Sequence, residues 1–85
     1  MVIQKDTETI LVTLRDIIRE TFMDPDTEIS RETTAFDVRG WTSLGHALLI
    51  SAIESHYGVR LPKERIFSLK NVGELCDLIA QNNTL

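Results

Sequence analysis

Ser43, His46 and Asp37 are the residues of this chain best equipped for chemistry, and all three fall within the run Asp37-Val38-Arg39-Gly40-Trp41-Thr42-Ser43-Leu44-Gly45-His46. A hydroxyl, an imidazole and a carboxylate are the components of a hydrolytic triad, and positions three apart on a helix are neighbours. The spacing argues against that use: a nucleophile elbow needs glycine two positions before the serine, whereas Gly40 stands three before Ser43. Nor do Cys76, His46 and His56 make a credible set of metal ligands. The two histidines lie ten apart on one helical stretch and so point in different directions, which reads as surface histidines. Ser43 taken alone is most simply a helix N-cap, because a short hydroxyl accepts a hydrogen bond from the unpaired amides of a first turn.

The rest of the chain must supply a platform for this run. At 85 residues it has interior for one apolar core, so the expected organisation is a single domain over residues 1–85. Its composition, 42% hydrophobic and 26% charged, is that of a folded globular protein. A chain this short struggles to enclose a water-excluding pocket and support it with a further shell, so a carrier or binding platform fits better than an enzyme. The formal charge of −4, with basic residues scattered, disfavours nucleic acid as a partner. Without an apolar run of about 18 residues no membrane span is expected. The polar start Met1-Val2-Ile3-Gln4-Lys5-Asp6 lacks the apolar centre of a signal peptide, and one cysteine forms no internal disulfide, so a cytoplasmic setting is the expectation.

Four helices follow from the pattern. Ile10, Leu11, Leu14, Ile17, Ile18 and Phe22 recur at helical spacing between Asp6 and about Met23, with Arg15, Asp16, Arg19 and Glu20 opposite. Asp6 or Thr7 can cap this helix, and Pro25 lies beyond its end. Residues Asp24 to Thr42 have no sustained period and read as a long loop anchored by Ile29, Phe36 and Val38. Leu44 to Tyr57 is helical again, with apolar residues on more of its circumference than one buried face needs. Gly58 suits a left-handed cap, after which Val59 and Leu61 return to the core. Pro62 to Phe67 fits one short turn of helix begun by proline. Asn71 and Glu74 have capping-box spacing for a final helix buried through Leu75, Leu78 and Ile79, ending in a frayed polar tail. The expected fold is all-α: a four-helix bundle with three longer helices, one short helix and a long first loop.

In this order and spacing, the Asp37-to-His46 run, Tyr57-Gly58-Val59 and Asn71-Val72-Gly73-Glu74-Leu75 resemble acyl and peptidyl carrier proteins. The resemblance implies an acyl-carrier-like fold and identifies Ser43 as the attachment point of a covalent 4'-phosphopantetheine arm whose thiol holds acyl or aminoacyl groups as thioesters. A helix start suits that phosphate, since its first amides are unpaired and carry partial positive charge. Implied partners are a phosphopantetheinyl transferase and acyl- or aminoacyl-loading and processing enzymes, acting on a monomer in fatty-acid-like, polyketide or specialised metabolite biosynthesis.

The chain departs from the family at two points. Thr42 replaces the aspartate that precedes the serine, an acid thought to help engage the metal-dependent transferase; Thr42 could instead cap the helix while Ser43 is modified. The second helix retains Glu54 but otherwise offers Gly45, His46, Leu48, Ser51 and Ser55 as a nearly neutral face. Thr42, Leu44, Leu48, Ser51 and Glu54 are therefore the expected partner-binding residues, with apolar contact outweighing electrostatic steering. The Gly-Trp-x-Ser-Leu form resembles freestanding or polyketide-type carriers more than acidic housekeeping ones. Trp41 suits a half-buried position, covering the loop or lining the base of the arm, and Cys76 reads as a small buried hydrophobe. The alternative is an unmodified helical interaction module that keeps the fold without the arm.

Overall fold

The computed structural model describes residues 7–82, and among them the regular elements are all helical. Helix α1 spans Thr7–Thr21, a 3-10 turn spans Ala35–Asp37, and α2 spans Ser43–Tyr57; α3 is the single turn Lys63–Ile66 and α4 spans Val72–Asn82. Helix α1 packs against both α2 and α4. The shared core is built from Ile10, Leu14 and Ile18 of α1, Leu49, Ile50 and Ile53 of α2, and Val72, Leu75, Cys76, Leu78 and Ile79 of α4. Each large aliphatic side chain removed from water contributes about 1.5–3 kcal/mol, which is why three short amphipathic helices hold together where one alone would not.

Helix α1 ends earlier than its apolar period suggests, in a Schellman turn. Asp24 N donates to Arg19 O at 2.9 Å and Met23 N to Glu20 O at 3.3 Å. Met23 therefore occupies the left-handed region at φ 55°, an unusual place for a side chain that glycine would normally fill. The proposed Asp6 cap lies outside the described residues, as do Asn83 and Thr84 of the tail; Gln81 and Asn82 belong to α4.

The long first loop follows a fixed path because its backbone finds partners at both ends of the chain. Arg15 Nε donates to Ile29 O at 3.1 Å and Arg19 Nε to Thr27 O at 2.9 Å, so the polar side of α1 clasps the loop instead of only facing solvent. At its far side Val72 N donates to Thr33 O at 2.9 Å and Gly73 N to Arg31 O at 2.7 Å, satisfying the first amides of α4 with loop carbonyls. Ile29 and Val38 are buried anchors, as their apolar character suggests. Phe36 is not: it is 100% exposed on the 3-10 turn. That turn is fixed by a capping box in which Asp37 accepts from Thr34 N at 2.9 Å and Phe36 N donates to Thr34 Oγ1, a local bonding pattern that needs no buried side chain.

The C-terminal caps and turns largely follow the sequence signals. Gly58 adopts φ 67° after α2, and Leu61 and Ile66 are buried on either side of Pro62, which caps α3 from outside its first turn. Asn71 caps α4 through Glu74 N at 2.9 Å. The reciprocal bond differs from the capping-box expectation: Glu74 accepts from Lys70 N at 2.9 Å, one residue further back than Asn71.

Candidate functional site

Ser43 is the first residue of α2, and the cap is its neighbour. Thr42 holds extended backbone angles and its Oγ1 accepts from Gly45 N at 3.2 Å, while His46 N donates to Thr42 O at 2.7 Å as the first turn closes. Capping by Thr42 leaves the Ser43 hydroxyl exposed and without a hydrogen bond among the described residues. The amides of Ser43 and Leu44 have no carbonyl within the helix to meet. An exposed hydroxyl beside two unpaired amides, with no acidic residue in the first turn, suits a phosphate ester: its charge is favoured by the helix start and unopposed locally.

Two glycines set this geometry. Gly40 turns the chain at φ 90°, a conformation that other residues rarely adopt. Its carbonyl oxygen accepts from Thr42 N at 2.8 Å and lies against Gly45, where a methyl group would fall inside contact distance of that oxygen and 2.8 Å from a ring carbon of Phe22. Gly45 is consequently buried, contrary to its expected place on the exposed face of α2, because the loop before Ser43 crosses directly over it.

His46 likewise is not a surface histidine. It is half-buried, with Trp41 Nε1 donating to its Nδ1 at 2.9 Å and its Nε2 2.8 Å from Ile66 O. Trp41 is half-buried too and stacks on Phe22 with centroids 5.5 Å apart, so it both covers the loop and lines the space beside Ser43. These contacts leave no triad: both imidazole nitrogens are engaged, and the Asp37 carboxylate is spent on Thr34. Asp37 and His46 serve the turn and the groove wall, respectively.

A groove of about 470 Å³ opens beside Ser43, lined by Trp41, Thr42, His46, Ile66, Phe67 and Leu69. Phe36 and Phe67 stand at its margin, 100% and 70% exposed. Neither was identifiable as a site residue from spacing, since an exposed aromatic in a loop has the same sequence signature as a buried anchor.

Among the expected partner-binding residues, Thr42, Leu44, Leu48 and Ser51 are exposed. Leu44, Leu48 and Ser51 share one face of α2 by their spacing of four and three. Leu44 is 71% and Leu48 57% exposed, which accounts for the apolar circumference that the core does not use. Glu54 is placed differently: it is half-buried and accepts from Leu61 N at 2.8 Å, tying the segment after α2 back to the helix. Cys76 is fully buried in α4, and burial pushes its thiol up to about 11 despite the opposing influence of Arg31. Among the described residues no cluster of His, Cys, Asp or Glu could hold a metal, and no helix is long and apolar enough to cross a membrane.

Comparisons with known proteins agree on the family. The family model for the phosphopantetheine attachment site matches residues 12–79. An acyl carrier protein of Acidothermus cellulolyticus is 34% identical over 73 residues, covering 86% of this chain and 87% of that protein. The solution NMR structure of a holo acyl carrier protein from Geobacter metallireducens superposes with a TM-score of 0.78 at 39% identity, covering 84% of this chain and 82% of that one.

Proposed function

The chain belongs to the phosphopantetheine-attachment family as an acyl carrier protein, and from that premise we propose that Ser43 is the serine to which its 4'-phosphopantetheine is joined. The observation that carries the assignment is the division of labour at the start of α2: Thr42 caps the helix, and Ser43 presents an uncommitted hydroxyl to solvent. The arm supplies a thiol on which acyl groups travel as thioesters. Ser43 contributes the anchoring oxygen, the Ser43 and Leu44 amides favour the phosphate charge, and Gly40 and Gly45 hold the preceding loop clear of the hydroxyl. The protein itself is a carrier and performs no catalysis.

We further propose that the phosphopantetheinyl transferase and the acyl- or aminoacyl-loading and processing enzymes meet the chain at Thr42, Leu44, Leu48 and Ser51. Phe36 and Phe67 would extend this apolar rim around the attachment point. Glu54 contributes by fixing the end of α2, since its carboxylate is held by the Leu61 amide. A docking face this poor in charge fits apolar association, and partner association rates that fall steeply with added salt would refute it. The Gly40-Trp41-Thr42-Ser43-Leu44 form supports a polyketide-type carrier over an acidic housekeeping one.

Incubation of the full chain with coenzyme A and a broad-range phosphopantetheinyl transferase, followed by intact-mass measurement, tests the attachment site. One arm is expected on the wild type and none on Ser43→Ala. A wild type that stays unmodified would instead mark the chain as an interaction module that keeps the carrier fold without the arm. If the missing carboxylate limits recognition, Thr42→Asp will load faster.

A further inference from the structure

His46 joins three elements beside Ser43. It stands on α2, receives a hydrogen bond from Trp41 in the loop before the attachment site, and reaches the carbonyl of Ile66 at the end of α3. An indole nitrogen is a donor only, so Trp41 Nε1 at 2.9 Å requires a lone pair on His46 Nδ1. A carbonyl oxygen is an acceptor only, so Ile66 O at 2.8 Å requires the proton on Nε2. Two independent contacts thus demand the same neutral tautomer. The opposite tautomer would set two N–H groups against each other at Trp41 and two lone pairs against each other at Ile66.

The surroundings reinforce the arrangement. The planes of Trp41 and His46 lie within 17° of each other, Phe22 stacks on Trp41 with centroids 5.5 Å apart, and the Phe67 ring lies 5.4 Å from His46 at 55°. A continuous row of rings therefore runs from the end of α1 to the residue after α3. Helix α3 has only four residues and cannot hold its own place, so its position depends on the burial of Ile66 and on this bond. Trp41, His46 and Ile66 all line the groove beside Ser43, and one imidazole connects the three segments that carry them.

We propose that His46 is the positioning residue of the attachment site: fixed as the Nε2–H tautomer, it fastens the loop before Ser43 to the end of α3 and keeps Ser43 in the conformation that its modifying enzyme binds. The proposal rests on the assignment of Ser43 as the attachment serine. It requires that loss of the latch reduce the fraction of molecules in the competent conformation, which raises the apparent KM for the carrier in proportion and leaves kcat unchanged.

Three variants of the full chain divide the latch. His46→Asn keeps an acceptor near the Nδ1 position, His46→Gln keeps a donor near the Nε2 position, and His46→Phe keeps a ring with neither. Each neutral hydrogen bond corresponds to about a fivefold change in the ratio of latched to unlatched molecules. Transferase kinetics with coenzyme A, run well below the unfolding temperature of each variant, should show KM for the carrier raised about two- to tenfold in His46→Phe, the factor by which the competent fraction falls. Smaller rises are expected in His46→Asn and His46→Gln, with kcat retained throughout. An unchanged KM in folded His46→Phe, or a loss confined to kcat, would overturn the proposal.

Nitrogen NMR of the histidine rings in wild type reads the tautomer directly and does not depend on any variant folding. A protonated Nδ1, or averaging between tautomers in the folded protein at neutral pH, would also overturn it. Should the wild type accept no arm at all, the Ser43 assignment fails, while the nitrogen shifts still decide whether the latch exists.

Discussion

Substituting Gly45 by alanine sets two physical effects against each other. Helix propensity favours alanine over glycine by up to about 1 kcal/mol, so a reading of α2 as an isolated helix expects stabilisation. Packing opposes it. The new methyl group would press on the Gly40 carbonyl, which is backbone and cannot swing aside, and on the Phe22 ring at 2.8 Å. Overpacking of this kind costs about 1–3 kcal/mol. The same carbonyl accepts from Thr42 N at 2.8 Å, and Thr42 in turn caps α2, so displacing the loop also weakens a cap worth about 1 kcal/mol. The net expectation is a destabilisation of about 2 kcal/mol, or a fall in Tm of about 8–16 °C for a domain of this size. Thermal unfolding followed by circular dichroism measures it, with Gly58→Ala as reference. Gly58 has open space around its Cβ position and only its φ of 67° to lose, so its cost should come from backbone strain alone, about 1 kcal/mol. A Gly45→Ala protein as stable as wild type would show that the loop does not cross α2 at Gly45, and the account of how Ser43 is presented would fall with it.

Met23→Gly should act in the opposite direction, raising stability by up to about 1 kcal/mol in chemical denaturation, because Met23 is 87% exposed and spends its side chain on a left-handed φ of 55°; a loss of stability would mean that the side chain packs. Cys76 should resist alkylation in the folded apo protein at pH 8 and react fully in denaturant, as its thiol is buried and pushed up to about 11. The raised value also means that the folded state holds this proton more tightly than the unfolded chain. The stability it contributes is complete below the ordinary thiol value of 9.0 and is lost as pH rises from there toward 11, so a stability that climbs over that interval would contradict the burial.

The helices were legible because their cores are periodic: Ile10, Leu14 and Ile18 repeat every four residues, and Leu75, Leu78 and Ile79 mark the buried side of α4. Gly58 and Asn71 could be read as caps because a left-handed turn and an amide-accepting side chain are local requirements. Ser43 is proposed as the attachment serine from the order of motifs along the chain. What escaped the sequence was set by contacts between distant segments. Gly45 stands four residues before Leu49 on the buried side of α2, but a residue without a side chain does not show what covers it, and the covering group is the loop around Gly40. His46 stands three and four residues before Leu49 and Ile50 and so shares their side of α2, but its partners Trp41 and Ile66 come from two other elements that the helical spacing does not show. Phe36 has the apolar character of a loop anchor, whereas the 3-10 turn that carries it is stabilised by Thr34 and Asp37 and needs no apolar help.

The pairing of the first loop with the start of α4 has a consequence for timing during synthesis. Thr33 and Arg31 give their carbonyls to Val72 and Gly73, and the Arg31 guanidinium meets the Asp77 carboxylate at 3.1 Å. Helix α4 follows the loop in the order of synthesis, and closing so long a stretch is repaid only when α4 docks. Until then the loop is held from the α1 side alone, through Arg15 and Arg19. The path that leads to Ser43 is completed only once α4 is in place.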